Sequence, residues 1–192
     1  VSFDENVGHD YVGNVTDRYE FYHKDEAKIP FDLEKFNTIT KGGLPNKTLN
    51  IALAGTGVGK SLFMCHCAAA SLTQGKNVLY VTCEMSEEKI AERIDANLLN
   101  VNIRDIASLP EQIFTSRVSE IGRKTQGKLI IKEYPTASAH VGHFKSLLNE
   151  LSLKKSFKPD IIFIDYLNIC ASARYKGHIV NSYTYVKAIA EE

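Results

Sequence analysis

A glycine-rich loop most constrains the fold of this 192-residue chain, and its sequence is Ala54-Gly55-Thr56-Gly57-Val58-Gly59-Lys60-Ser61. An apolar segment, residues 49–53, comes before it, and a segment of helical character begins after it at Leu62. Closely spaced glycines let backbone N–H groups turn inward around a phosphate, and the following helix adds the positive end of its dipole. The pattern predicts a strand, a phosphate-binding loop and a helix.

Two side chains at the end of the loop suit a bound nucleoside triphosphate. Lys60 can reach the outer phosphates, and the Ser61 hydroxyl can bind Mg²⁺. The strict form of the motif opens with glycine, whereas this one opens with Ala54. The alternative is a turn that joins a strand to a core helix, but it does not explain a lysine where the helix dipole disfavours a cation. We therefore expect a nucleotide to bind residues 55–61.

Composition bounds the number of domains and the choice of partner. With 44% hydrophobic residues, the chain can bury one sizeable core, and a second full domain is not expected. Lys and Arg total 23, as do Asp and Glu, so a polyanion would have to contact a local basic patch. No apolar run approaches the roughly 18 to 20 residues that cross a bilayer, so we expect no membrane partner.

The four cysteines, Cys65, Cys67, Cys83 and Cys170, fall in predicted helices or strand ends. Such positions favour reduced thiols in a cytosolic protein over a disulfide framework. The triplet Cys65-His66-Cys67 resembles a metal ligand set. Residues i and i+2 of a helix point to different sides, so we do not predict a metal site there.

Both ends of the chain suggest boundaries within a longer protein. Val1 is not a methionine, and the helix predicted over 183–192 ends without a capping glycine. We divide the chain into an N-terminal arm and linker helix, residues 1–30, and a nucleotide-binding domain, residues 31–192, that is incomplete at its C-terminus.

The linker helix is predicted to begin at Asp17, with Glu20 completing a capping box, and to end at Ile29-Pro30. Its aromatic residues require a partner surface and comprise Tyr19, Phe21 and Tyr22. They either pack on their own domain or dock on a neighbouring subunit, and the sequence leaves both open.

From Phe31 onward, strands and helices alternate. Apolar runs predict strands over 49–54, 78–82, 129–131 and 161–164, and helical patterns cover 60–73, 86–98, 138–153 and about 110–124. Strands that are buried on both faces and joined by helices form a parallel sheet. The sequence therefore predicts an α/β fold with a mostly parallel sheet flanked by helices.

Two carboxylates are predicted at the carboxyl ends of these strands, where α/β proteins bind ligands. Asp165 follows four apolar residues and is the candidate for holding Mg²⁺ through water. Tyr166 comes next, so the base that orients the attacking water must lie on another strand end, and Glu84 is the candidate. Glu87 and Glu88 are alternatives, although acidic residues in the first turn of a helix are commonly there because they interact favourably with the helix dipole.

The order of these motifs resembles that of DnaB-type replicative helicases, including those of bacteriophages. The stretch Glu84-Met85-Ser86-Glu87-Glu88 with Arg93 is similar to their E-M-x-x-E-x-x-x-x-R run, and Ile164-Asp165-Tyr166-Leu167 is similar to their Walker B strand end. Thr40-Lys41-Gly42-Gly43-Leu44 resembles the lead-in to their first strand. The resemblance extends from about Pro30 to Glu192.

This resemblance implies a RecA-like P-loop NTPase, truncated at both ends, that hydrolyses ATP with Mg²⁺. It further implies a homo-hexamer that translocates 5′ to 3′ on single-stranded DNA and unwinds duplex DNA. The partner it implies is a primase, and the location is the cytoplasm of a bacterium or of a phage-infected host. By position, Lys60 and Ser61 contact phosphates and Mg²⁺, Asp165 is the Walker B acid, and Glu84 is the catalytic base.

The resemblance also carries an expectation about the sheet. The family's sensor strand and arginine finger would lie beyond Glu192, and in RecA-like sheets the sensor strand separates the phosphate-loop strand from the Walker B strand. Residues 49–54 and 161–165 are therefore expected not to pair directly.

The loop after Asp165 contains a candidate DNA-binding group, Arg174, Tyr175 and Lys176. In the family it resembles, loops at this position face the ring channel. Its cations can neutralise phosphates and its aromatic ring can stack on a base, which suits single-stranded DNA irrespective of sequence. The alternative is a solvated connector, since surface loops are polar by default.

Two other functions fit the nucleotide site. One is a RecA- or KaiC-like ATPase, and the other is a nucleotide-dependent assembly module that binds ATP without translocating. The Glu84-Met85 run and the Ile164-Asp165-Tyr166-Leu167 run favour the helicase.

Overall fold

The structure, a computed structural model, describes residues 8–24, 26–135, 139–166, 170–172, 174–175 and 181–191. Its helices are α1 (Val15–His23), α2 (Glu34–Ile39), α3 (Lys60–Thr73), α4 (Glu87–Leu98), α5 (Glu111–Lys124), α6 (Val141–Lys155) and α7 (Ser182–Glu191). Its strands are β1 (Lys28–Ile29), β2 (Leu44–Pro45), β3 (Val78–Thr82), β4 (Leu129–Glu133) and β5 (Ile161–Asp165). A 3₁₀ helix covers Ile103–Ser108.

A parallel sheet in the order β4-β3-β5 lies at the centre of the domain. All five residues of the middle strand are buried, as expected of a strand with a neighbour on each side and a helical layer on each face. Thr82 is in register with Glu133 on one side and with Asp165 on the other. The carboxyl ends of the three strands therefore meet at one edge of the sheet.

The two faces of the sheet bury different layers of helix. Side chains alternate along a strand, so Val78 and Tyr80 pack with α3 and α4, while Leu79 and Val81 pack with α6 and α7. The first core also contains small residues of α3, including Ala68 and Ala69, which let that helix approach the sheet closely. These layers confirm the predicted α/β architecture.

Helix α3, which follows the phosphate-binding loop, also packs against aromatic rings from an earlier part of the chain. Phe63, on α3, lies 6.3 Å from Phe31 and 5.3 Å from Phe36, measured between ring centroids. Phe31 and Phe36 are themselves 5.4 Å apart. This cluster joins the first turns of α3 to residues 31–36, which lie in the chain between the paired strands β1 and β2.

Residues 49–54 form no strand, so the β-strand predicted there is wrong. Leu49, Ile51 and Leu53 are 63%, 65% and 94% exposed. A strand gains its stability from a hydrogen-bonded neighbour, and among the described residues β5 pairs with β3 alone. The segments 49–54 and 161–165 do not pair directly, but since residues 49–54 form no strand, the predicted separation of two strands stays a prediction.

The linker helix begins earlier and ends earlier than predicted. Its N-cap is Asn14, whose side-chain amide donates to Asp17 at 3.0 Å, and its last residue is His23. The Asp10 carboxylate accepts the backbone N–H groups of Val12 and Gly13, and this turn leads the chain into the helix ahead of Asp17.

The aromatic side chains of α1 point away from the described domain. The exposed fractions of Tyr19, Phe21 and Tyr22 are 64%, 73% and 71%, and α1 buries no residue. Of the two interpretations of these rings, packing on their own domain is thus not seen in the described part of the chain.

Candidate nucleotide-binding and catalytic site

The glycine-rich loop has the backbone conformation that its glycines make possible. Gly57 has a φ of 75° and Gly59 a φ of 103°, a region that disfavours residues with a Cβ atom. Gly59 is the N-cap of α3, so the loop leads directly onto the helix N-terminus. Residues 55–58 are exposed. The loop therefore presents its backbone to solvent at the positive end of a helix, where a phosphate would bind.

Lys60 links the loop to the end of the Walker B strand. Its ammonium donates to the carbonyl of Ala54 at 3.1 Å and lies 5.6 Å from the ring centroid of Tyr166, the residue after Asp165. Ser61 follows in the first turn of α3 and is half-buried. The structure thus brings the predicted phosphate ligand to the predicted metal-binding strand end.

Asp165 is a buried carboxylate with one oxygen engaged. Its side chain is 1% exposed, and Oδ2 accepts a hydrogen bond from the hydroxyl of Tyr80 at 3.0 Å. Oδ1 is buried and has no hydrogen-bond partner among the described residues. An unpaired buried carboxylate oxygen is costly, and a metal-bound water would satisfy it. The residue therefore fits the Mg²⁺ that the resemblance implies.

Glu84 lies beside Asp165 at the same edge of the sheet. The Thr82 hydroxyl donates to the carbonyl of Met85 at 2.8 Å and accepts from its N–H at 3.1 Å, which forms a tight turn after β3. Glu84 is exposed within this turn, and its carboxylate has no hydrogen bond or ion pair with the described residues. A carboxylate placed this way is available to a water near the nucleotide.

The two alternative acids have structural roles. Glu87 Oε1 accepts the backbone N–H of Glu133 at 3.0 Å and an ion pair from Lys132 at 3.4 Å, so it joins α4 to β4. Hydrogen bonds from its own backbone N–H and from Ser86 lower the pKa of Glu88, which is fully exposed at the start of α4. These contacts favour Glu84 as the base.

Sequence reasoning missed Tyr80, which is fully buried at the centre of β3. Burial raises the pKa of its phenol far above the ordinary value, so the hydroxyl keeps its proton and donates to Asp165. The signal was present: a tyrosine in a strand that is otherwise apolar needs a partner for its hydroxyl once it is buried.

The predicted DNA-binding loop is described in part. The guanidinium of Arg174 pairs with the Glu191 carboxylate on α7 at 3.0 Å, and the Ser172 hydroxyl accepts the backbone N–H groups of Arg174 and Tyr175. Lys176 lies outside the described residues. Arg174 is thus held against α7, whereas the bond of Tyr175 to Ser172 lies within the loop itself.

The Cys65-His66-Cys67 triplet is used for packing. Both thiols are buried, and the His66 ring accepts from the Asn97 amide at 2.9 Å and donates to the carbonyl of Asp32 at 3.4 Å. Within the described ranges, no three His, Cys, Asp or Glu side chains cluster as a metal site would require. Cys83 and Cys170 are also reduced, buried thiols, with their sulfurs 3.9 Å apart.

None of the described helices combines the length and apolar character needed to cross a bilayer.

Comparison with known proteins shows what the chain is similar to. Residues 29–192 match the family described as DnaB-like helicase C terminal domain. The chain is also 48% identical over 195 residues to a protein of Enterobacteria phage T4 described as a DnaB-like replicative helicase. That alignment covers 100% of this chain and 41% of the relative, so the chain spans less than half of that protein's length.

Two solved structures share its fold at 18% identity. One is titled as the structure of a DnaB-like replicative helicase and its interactions with primase; it gives a TM-score of 0.64, covering 97% of this chain and 44% of the other. The second is titled as an ATPase domain, with a TM-score of 0.65 and coverage of 94% of this chain and 64% of the other. The RecA-like architecture predicted from the sequence is confirmed.

Proposed function

The chain belongs to the DnaB-like helicase family through that family's C-terminal domain, and from this membership we propose that it is the ATP-hydrolysing motor of a replicative DNA helicase. One arrangement carries the proposal. Lys60 lies against Tyr166, next to Asp165, and Glu84 projects from the turn after the neighbouring strand. A phosphate-binding cation, a metal-binding acid and a candidate base thus share one sheet edge.

The residues divide the work of phosphoryl transfer to water. Backbone N–H groups of residues 55–59 donate hydrogen bonds to the phosphates, and the ammonium of Lys60 offsets part of their negative charge. Ser61 and Asp165 would hold Mg²⁺, the latter through water, and the bound ion would neutralise charge that develops between the outer phosphates. Glu84 orients the attacking water and accepts its proton.

The partners follow from the family and form part of the same proposal. We place single-stranded DNA on the loop that contains Arg174, Tyr175 and Lys176, with 5′ to 3′ translocation by a cytoplasmic homo-hexamer. The exposed rings of α1 support contact with a neighbouring subunit, because apolar surface of this kind marks interfaces. A primase partner is supported by the structural relative whose title names one.

The test uses the full-length protein that contains this domain. ATP hydrolysis is measured with and without single-stranded DNA, and unwinding is measured on duplexes that carry a 5′ tail, a 3′ tail or a fork. We expect DNA-stimulated hydrolysis and unwinding that requires the 5′ tail. Tight ATP binding without unwinding of any substrate would instead identify an assembly module, and unwinding that requires the 3′ tail would contradict the polarity.

A further inference from the structure

Tyr80 is the residue of β3 whose side chain reaches Asp165. It is the middle residue of the central strand, it is fully buried, and its ring stacks on Phe163 of β5 with centroids 5.9 Å apart. That contact fixes the ring plane and leaves the hydroxyl 3.0 Å from Asp165 Oδ2. The position of the donor is therefore set by the core.

The hydroxyl of Tyr80 has a second partner on the phosphate-loop helix. The thiol of Cys65 donates to the tyrosine oxygen at 3.8 Å, and Cys65 lies in α3 a little more than one turn after Lys60. Tyr80 consequently stands between the helix that carries the phosphate ligands and the strand that carries the metal-binding acid. A chain of donors runs from Cys65 through Tyr80 to Asp165.

The hydrogen bond from Tyr80 makes the two oxygens of the Asp165 carboxylate different. Oδ2 is occupied by Tyr80, and Oδ1 is the buried oxygen that has no partner in the described part of the chain. Without the hydroxyl, neither oxygen would have a hydrogen-bond partner among the described residues, and no hydrogen bond would fix the orientation of the carboxylate. A bound metal would then have to select one orientation among several.

We propose that Tyr80 is a positioning residue, whose hydroxyl holds Oδ2 of Asp165 and so keeps Oδ1 for a water of the Mg²⁺–nucleotide complex. This inference rests on the proposed function, since it assigns Asp165 to the metal. Tyr80 touches neither nucleotide nor metal. Its effect is on the Mg²⁺ concentration that nucleotide binding requires.

The experiment removes the hydroxyl and keeps the ring. Tyr80→Phe is made in the full-length protein, and binding of fluorescently labelled ADP is titrated against Mg²⁺ and repeated in EDTA. Loss of a hydrogen bond to a charged group corresponds to roughly 10- to 100-fold in an equilibrium constant. We expect the half-saturating Mg²⁺ concentration to rise by about 10-fold or more, with the affinity in EDTA unchanged.

A matched control is Tyr134→Phe, which removes the hydroxyl of a half-buried tyrosine that bonds the carbonyl of His143. We expect its Mg²⁺ requirement to equal that of the wild type. In an Asp165→Asn background, Tyr80→Phe should add nothing, because the group through which it acts is already gone. Additive effects of the two substitutions, or an unchanged Mg²⁺ requirement in Tyr80→Phe, would overturn the proposal.

The wild-type protein supplies a test that does not depend on folding of the variant. An experimental structure with Mg²⁺ and ADP should keep the bond between Tyr80 and Oδ2, with a metal-bound water on Oδ1; a water on Oδ2 in place of Tyr80 would overturn the proposal. If the wild type shows no Mg²⁺-dependent nucleotide binding at all, the proposed function fails. If it does and Tyr80→Phe matches it, only the role of Tyr80 fails.

Discussion

The backbone N–H of Cys83 donates to the carbonyl of Asp165 at 2.8 Å, one residue beyond the last paired position of β3. This bond holds the end of the Walker B strand to the start of the turn that carries Glu84. The candidate base Glu84 and the proposed metal-binding acid Asp165 are thus positioned by the backbone of two adjacent strands, and a change to either side chain leaves that framework in place.

Glu84→Gln should separate binding from hydrolysis. The amide keeps the shape of the side chain but cannot accept the proton of the attacking water, and loss of a general base typically costs about 10² to 10⁴ in rate. Nucleotide affinity should stay near that of the wild type. Steady-state hydrolysis and labelled-nucleotide binding, measured on the same full-length preparation, check this expectation.

Glu87→Gln is the matched control for that substitution. Its amide oxygen can still accept the N–H of Glu133, and only the exposed ion pair with Lys132 is lost, a pair of a kind that contributes about 0 to 1 kcal/mol. Hydrolysis should remain near normal. The reverse pattern, with Glu84→Gln active and Glu87→Gln inactive, would move the base to Glu87.

Lys60→Ala should lower both affinity and turnover. In the proposed function the ammonium contacts phosphates in both the ground state and the transition state, and loss of one charge-stabilising donor costs about 10²-fold or more in rate. Lys154→Ala removes an exposed lysine that pairs with Glu150 on α6, so it controls for the change in net charge. Equal ATP affinities of Lys60→Ala and the wild type would show that the loop does not bind the triphosphate through this residue.

Gly59→Ala and Gly55→Ala should differ in stability although they lie in one loop. Neither added Cβ atom would clash, since the nearest atoms are 4.0 Å and 3.6 Å away, but of these two glycines only Gly59 has a positive φ, at 103°. That conformation costs a residue with a Cβ about 1 to 2 kcal/mol. We expect Gly59→Ala to lower the Tm by roughly 2 to 8 °C and Gly55→Ala to leave it unchanged or slightly raised. Calorimetry without nucleotide measures both, and equal shifts would contradict the loop geometry.

Changing Arg174 and Lys176 together to Ala should weaken binding of single-stranded DNA equally for all sequences. Each phosphate contact on a single strand contributes about 0.7 to the slope of log affinity against log salt, so the slope should fall by roughly 1.4. Glu191→Gln should act in the opposite direction, because it releases Arg174 from its ion pair. Fluorescence anisotropy across a salt series checks both, and an unchanged slope would make the loop a solvated connector.

Helices and strands whose limits are marked by the residues of the segment itself were predictable from the sequence. The bounds of α3, β3 and β5 follow from an uninterrupted apolar run or a helical face, punctuated by glycine or by Asp165. Residues 49–54 carry an equally apolar run and form no strand, because a strand also requires a partner that supplies hydrogen bonds. That partner cannot be read from the segment itself.

Some residues of the candidate site could be predicted from local sequence patterns, and others could not. The places of Lys60 and Asp165 in the fold were predictable from motif spacing, and that of Glu84 because strand ends of a parallel sheet converge, whereas their roles stay predictions. The contact between Tyr80 and Asp165 was not predictable, since it joins residues 85 positions apart through the register of β3 against β5. Register depends on how two strands align, which neither strand encodes alone.

The glycine-rich loop is flanked by buried structure on one side, helix α3, and by an exposed segment on the other, residues 49–54. On one side, the aromatic cluster around Phe63 and the buried residues of α3 hold the helix on which the loop ends. On the other side, residues 49–54 have few buried contacts, which is the condition for low local stability. A strand that paired with residues 49–54 would supply hydrogen bonds on this side, which the described part of the chain does not provide.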